Sequence, residues 1–353
     1  MRTIANHLWK NWPSIYFKVK ELFNRIKKVN QILKSTSPQE KKFNLSVEIS
    51  SIILIISLGV LATITDRTFI AGSNFFNIAD ATILYLLLGL GLTFVLMSGS
   101  VNLAVGGMLS LNCVIFALLS EKIGLWSIPL VLLCGFLEGI ITGQINNIFR
   151  IPSFIATFGM MGIFTSIAVV LSGGESKVLG VEVMKSLRSL HLTPLPGIKV
   201  QYIITAVIFF IFLFIQKRTA FGKKVISIGD SPTAAKHIGI NIEQVKQIAF
   251  GLSGLSTAIG AILLSSRLYA GDPTVGTGYL LLIVAVVIVG GTSLSGGVGG
   301  IFNTLLGALT IAVVQNVLQI MGVNIYYHSV VIGVVLIIAV AISLDQKKVL
   351  VVK

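Results

Sequence analysis

Nine neutral polar residues lie in or beside apolar runs of this chain: Ser98, Ser100, Asn102, Asn112, Thr157, Thr292, Ser293, Ser295 and Asn303. Hydroxyl and amide groups both donate and accept, so together they can replace the water hydrogen bonds of a neutral hydroxylated solute without burying charge. Taken singly, a Ser or Thr in a helix commonly bonds to its own carbonyls instead. Glu138 is the one acidic residue expected deep within an apolar run. A charge there costs about 2.5–3.5 kcal/mol on insertion scales, so it needs a partner at a helix contact or a polar cavity. Gln144, Asn146 and backbone groups are the nearest candidates for that partner.

Other chemistry is missing. No second buried acid or cation completes a relay with Glu138, and none of His7, His191, His237 and His328 falls near the centre of an apolar run. That argues against proton coupling, while Na⁺ coordination by backbone carbonyls is left open. There is no HExxH, no GxGxxG ahead of a soluble helix and no GxxxxGK[ST] phosphate loop. Cys113 and Cys134 sit in apolar runs as small hydrophobes. Neither catalysis, nor nucleotide hydrolysis, nor a bound metal or cofactor is expected of this chain.

The elements that position these residues are apolar helices. The chain is 54% hydrophobic and 11% charged, far below the roughly 25% charged of soluble domains, which makes it an integral membrane protein. Apolar windows fall at 46–65, 80–98, 107–120, 126–146, 153–172, 200–216, 247–266, 279–291, 299–321 and 328–344. Each is read as a helix, giving an all-α fold of about ten transmembrane spans, with the short third and eighth windows broken or incompletely crossing. The net charge of +14 is confined to tails and alternate loops, so it reports topology rather than nucleic-acid binding. Of 27 Lys and Arg, 20 lie in the N-terminal tail, at Arg150, in 217–246 and after the last window. By the positive-inside rule that side is cytoplasmic, and an even span count returns both termini to it. The basic tail 1–45, which carries Trp9, Trp12, Tyr16 and Phe17, either rests on the anionic inner leaflet or packs on the protein. The first apolar run is too long for a signal peptide.

Two features interrupt the helical pattern. Residues 217–246, KRTAFGKKVISIGDSPTAAKHIGINIEQVK, form a long charged segment between apolar runs, with a short helix-forming piece at Pro232 to His237 suited to touching a partner. Gly-rich runs at 89–107 and 290–300 break the apolar pattern, and GSVNLAVGG at 99–107 echoes GTSLSGGVG at 291–299 with a one-residue gap. Unwound backbone at membrane depth survives only where protein or a cavity surrounds it, so paired breaks in two related halves point to a central pathway. Close helix packing by small residues is the competing explanation.

Four blocks carry a family resemblance: GLTFVLMSGSVNLAVGGMLSL at 91–111, IPSFIATFGMMGI at 151–163 with LSGG at 171–174, TAFGKKVISIGDSPTAAKHIGINIEQVKQIAFGLSG at 219–254, and GTGYLLLIVAVVIVGGTSLSGGVGG at 276–300. They organise most of 46–345, and the chain resembles permease subunits of ABC importers for monosaccharides, the ribose and xylose branch that also holds autoinducer-2 permeases. The resemblance implies a bacterial-type inner-membrane subunit that pairs with a second copy or a sister permease. Its further partners would be a cytoplasmic ATP-binding subunit and an extracytoplasmic solute-binding protein. It maps a coupling helix onto 230–239, with Ala234, Ala235 and Gly239 allowing close approach, Asp230 opening the helix, and Lys223, Lys224 and Lys236 providing charged contacts. Two departures bear on selectivity: Asn102 stands where the family usually has Asp, and Leu280, Leu281, Leu282 and Ile283 replace an acidic, polar stretch. An ion-coupled secondary transporter and a non-transporting membrane scaffold or receptor are the competing classes.

Overall fold

The computed structural model describes residues 67–149, 151–188 and 199–343, together with parts of 55–63. The tail 1–45, most of the 46–65 window, Arg150, His191 and the C-terminal Lys347, Lys348 and Lys353 lie outside the described residues. The described chain is built from helices α1 (Gly72–Met97), α2 (Val105–Ile123), α3 (Ser127–Phe149), α4 (Ser153–Ser172), α5 (Val181–Arg188) and α6 (Val200–Arg218). They continue as α7 (Ala220–Asp230), α8 (Pro232–His237), α9 (Ile242–Leu268), α10 (Val275–Val289), α11 (Ile301–Ile320) and α12 (Ile325–Ser343). An all-α membrane architecture is thus observed, save for the two-residue strands β1 (Lys177–Val178) and β2 (Ala270–Gly271), which pair antiparallel. The apolar windows from 80–98 to 328–344 each overlie one helix, α1 to α4, α6 and α9 to α12. Among the described residues six segments are long and apolar enough to cross a membrane, and one of them, Val105–Phe149, holds both α2 and α3 around a 3-10 turn at Gly124–Trp126. Helix α10 and most of α12 are apolar but shorter.

The charged segment 217–246 is helical over most of its length. Thr219 caps α7 by accepting the Gly222 amide at 3.4 Å, Ser231 caps α8 by accepting the Ala234 amide at 3.3 Å with Pro232 at the first helical position, and Asn241 caps α9 by accepting the Gln244 amide at 3.1 Å. Polar side chains before helix starts satisfy amides that have no carbonyl within the helix, so these residues set three helix starts close together.

Helix α1 is the centre of the core, buried without interruption from Leu84 to Met97. Glycine permits the closest approaches around it. The Gly91 amide donates to Ser256 Oγ of α9 at 3.1 Å, and Gly89 lies against Thr304 and Val286. Between α3 and α9, Gly135 and Gly254 meet backbone to backbone, and Gly139 seats on the Phe250 carbonyl. In the first turn of α2, Gly106 packs on Gly276 and Gly107 on the Met161 backbone. Gly89, Gly91, Gly106 and Gly107 are therefore helical packing glycines, and the true interruption is confined to 98–104.

One end of the bundle is tied by polar contacts. Asn74 and Asn316 exchange reciprocal amide bonds of 2.9 and 2.6 Å, joining α1 to α11. Asp80 accepts Lys199 Nζ at 2.6 Å, Gln201 Nε2 at 2.8 Å and Tyr202 Oη at 2.6 Å. The β1–β2 pair is braced by Asp272, which accepts Ser176 Oγ at 3.1 Å and the Thr274 amide and hydroxyl at 2.7 and 2.8 Å. Partial burial works to raise the Asp272 carboxyl, but these donors hold it below the usual carboxylate range. Helix α5 lies nearby and buries Val183 and Leu187.

Replacing Gly254 with Val drives the new Cβ into the Gly135 carbonyl. The α3–α9 contact is expected to loosen by about 1–3 kcal/mol, read as a lowered melting temperature of the detergent-purified protein with the helix content of the folded state unchanged.

Candidate functional site

Helices α1 and α10 end alike. After α1 the Gly99 amide bonds to Leu96 O at 2.9 Å and the Ser100 amide to Val95 O at 3.2 Å, with Gly99 at φ 75°. After α10 the Gly291 amide bonds to Ile288 O at 2.8 Å and the Thr292 amide to Val287 O at 3.1 Å, with Gly291 at φ 91°. Left-handed glycine caps of this type are common, and Gly173, Gly239 and Gly322 close α4, α8 and α11 in the same way. What sets the two interruptions apart is that they touch. The Gly297 amide donates to Met97 O at 3.0 Å, and a Cβ on Gly296 would stand only 2.7 Å from the Gly99 nitrogen.

The first break has its backbone satisfied by side chains, and the second by its own turn together with side chains. In 98–104 the Val101 amide bonds to Ser153 Oγ at 2.9 Å, the Leu103 amide to Thr157 Oγ1 at 3.0 Å and the Ala104 amide to Asn102 Oδ1 at 3.0 Å. Asn102 Nδ2 donates onward to Ser253 Oγ of α9 at 3.2 Å. In 290–300 the Ser293 amide reaches Val298 O at 3.0 Å and the Ser295 amide reaches Ser293 Oγ at 3.2 Å. The Ile301 amide, which opens α11, is taken by Gln216 Oε1 of α6 at 2.8 Å.

The nine polar residues fall into three groups. Ser98, Ser100, Asn102 and Thr157 gather at the first break, Ser98 donating to Val95 O of its own helix at 2.7 Å. Thr292, Ser293, Ser295 and Asn303 gather at the second. Of these eight, Ser295 is the exposed one, and Ser98, Ser100, Asn102, Thr157 and Thr292 are at most 1% exposed, so the junction is sealed. Thr292 Oγ1 and Asn303 Nδ2 are buried there without a partner. Asn112 stands apart: its Nδ2 donates to Glu138 Oε2 at 2.6 Å and to Met108 O at 2.8 Å. Glu138 thus meets neither residue expected from sequence, because Gln144 pairs with Gln247 and Asn146 donates to Ile151 O at 2.8 Å.

The other candidate surface is α7–α8. Helix α7 buries Gly222, Val225, Ile228 and Gly229 and exposes Lys223, Lys224 and Asp230. In α8, Ala234 and Lys236 are exposed, as is Gly239 beyond it. Ala235, at 2% exposure, instead packs into the main core, because a helix of six residues turns one side inward. Sequence reasoning also missed Gln216, Gly229 and Ser253. Gln216 adjoins Lys217 and so reads as the edge of the soluble segment, whereas its side chain turns into the bundle. Gly229 carried a usable signal, since it follows Gly222 by seven residues on one face of an amphipathic helix.

Residues 74–340 match the family model described as the branched-chain amino acid transport system / permease component. Curated relatives include the probable ABC transporter permease protein YphD of Escherichia coli K12, 34% identical over 83% of this chain and 88% of the relative. The ribose import permease protein RbsC of Haemophilus influenzae is 32% identical over 83% of this chain and 92% of its own length. The xylose transport system permease protein XylH of the same organism is 28% identical over 87% and 98%. No solved structure matches.

Glu138→Gln keeps a side chain able to accept from Asn112, as the Asn74–Asn316 pair does with two amides, and is expected to melt within about 1 kcal/mol of the parent. Glu138→Leu leaves the buried Asn112 amide proton without that acceptor and is expected to lose about 1–3 kcal/mol, measured by thermal unfolding in detergent.

Proposed function

The chain belongs to the ABC permease family that contains the ribose and xylose import permeases, and from that membership we propose that it is the membrane-crossing subunit of an ATP-driven importer of a small neutral hydroxylated solute, a monosaccharide such as ribose or a relative. It is a multi-pass membrane transport subunit rather than an enzyme. ATP hydrolysis belongs to a separate cytoplasmic subunit, and an extracytoplasmic binding protein delivers the solute. A second copy or sister permease completes the path. In this reading the chain has about ten spans in two related halves within 46–345, flanked by cytoplasmic tails 1–45 and 346–353.

The observation that carries the proposal is the placement of 217–246. This segment exposes Lys223, Lys224, Asp230, Ala234, Lys236 and Gly239 on one side, while the last turn of α7 lies against both Gly-rich breaks on the other. A cytoplasmic subunit gripping the exposed side has a short mechanical route to the polar junction. That junction is the proposed solute path, formed by Ser98, Ser100, Asn102, Thr157, Thr292, Ser293, Ser295 and Asn303. Its burial corresponds to a closed state, because a solute of this chemistry requires those hydrogen bonds to be released to it. Asn112, held by Glu138, contributes through helix packing rather than by lining the path. The departures also find places. Asn102 ties the first break to α9, whereas Leu280 and Leu282 pack on the core and Ile283 is within it, leaving Leu281 exposed. The polar share of the path on that side is assigned to the partner permease.

Combining Lys223→Glu and Lys224→Glu with Ala234→Trp is expected to reduce co-purification of the ATPase about tenfold or more while leaving membrane insertion intact, read by pull-down from solubilised membranes. Unchanged association would sink the coupling role, and uptake by the chain alone under an ion gradient would replace it with secondary transport. A single cysteine at position 224 is expected to escape an impermeant thiol reagent in intact cells and to react after permeabilisation.

A further inference from the structure

The coupling segment packs on the bundle through Val225, Ile228 and Ala235, and at two further points it meets the breaks. At the start of α7, Gly222 packs directly on the Gln216 backbone, and the Thr219 hydroxyl donates to Ile215 O at 2.6 Å, so α6 and α7 are joined by a stiff corner. From that corner the Gln216 side chain, 9% exposed, reaches inward. Its Oε1 accepts the Ile301 amide at 2.8 Å, and its Nε2 stands 3.4 Å from Gly299 O and 3.8 Å from Met97 Sδ. Gly300, the residue before α11, supplies no side-chain cap, so Gln216 does the capping from another helix. At the end of α7, a Cβ on Gly229 would collide with the Met97 carbonyl and the Gly297 nitrogen, the two atoms whose hydrogen bond joins the breaks.

We infer that Gln216 is the positioning residue through which movement of the coupling segment is passed to the second break and the start of α11, with Gly229 as the bearing on which the far end of α7 rests. The inference rests on the reading of 217–246 as the ATPase-coupling segment. Helix α7 acts as a lever roughly 16 Å long, joined at one end to the α6 corner that carries Gln216 and in contact at the other with the Met97–Gly297 bond. Displacing α7 together with its α6 corner, without moving α11, breaks the hydrogen bond to Ile301 and leaves a buried helix-terminal amide without an acceptor, so the lower-energy course is for them to move together.

Two measurements test this, using Gln216→Leu, which fills the same space without hydrogen bonds, and Gln216→Glu, which keeps the acceptor for Ile301 and loses the donor. The first is hydrogen exchange on the purified full chain in nanodiscs, which needs no partner. Gln216→Leu is expected to speed exchange about tenfold in both 219–229 and 296–303, with β1–β2 unchanged and Gln216→Glu restoring protection at Ile301. Acceleration in neither segment, or in one alone, overturns the inference. The second is ATP hydrolysed per solute imported by the reconstituted complex. Gln216→Leu is expected to raise that ratio about tenfold with assembly unaltered; a ratio equal to the parent's, with parallel protection in the first measurement, overturns it. If the parent chain binds no ATPase, the functional reading fails, and the exchange result still decides whether Gln216 links the two segments.

Discussion

Backbone amides and carbonyls that leave a helix inside a membrane protein must find partners within the protein, since hydrocarbon offers none. Everything around the two Gly-rich breaks follows from that requirement. The first break is satisfied by Ser153, Thr157 and Asn102, and the second by its own turn and by Gln216. The breaks also satisfy each other through Gly297 and Met97. Glycines at 229 and 296 are required because three stretches of backbone converge at one point and any side chain would hold them apart, and Gly99 is required by its left-handed φ of 75°. The polar junction and the contact with the end of α7 are therefore one structure.

The same rule distributes the remaining polar groups. Asp80 gathers Lys199, Gln201 and Tyr202 at one end of the bundle, and Glu138 is held by Asn112 in its interior. His328, near the start of α12, is engaged by Gln315 at 2.8 Å and Val323 O at 3.1 Å. These contacts join one element of the bundle to another.

Helix positions were legible because long apolar runs in a membrane protein have one stable outcome, and nine windows coincide with helices to within several residues. The fold of 217–246 was only partly legible. Its caps, Thr219, Ser231 with Pro232, and Asn241, are ordinary sequence signals, but the charge of the segment directed attention to solvent and hid the apolar face of α7. Of the candidate site, the breaks and their echo could be read, since glycine is conspicuous against leucine. The partners could not. That Asn102 meets Ser253, that Asn112 meets Glu138 and that Gln216 caps α11 depend on helix rotations that no local pattern specifies. Gly89 and Gly91 misled for the related reason that a packing glycine and a helix-breaking glycine are the same letter.

Helices α1 and α11 are latched near both ends, by the reciprocal Asn74–Asn316 amides and by Thr93 Oγ1 against Thr304 Oγ1 at 2.6 Å. A pair secured twice behaves as a strut and resists splaying. Since one break leaves the end of α1 and the other enters the start of α11, both hang from the same tip of that strut. Any parting of the bundle at the breaks consequently leaves the strut whole and runs along the flanking seams, where α2 begins on one side and α10 finishes on the other.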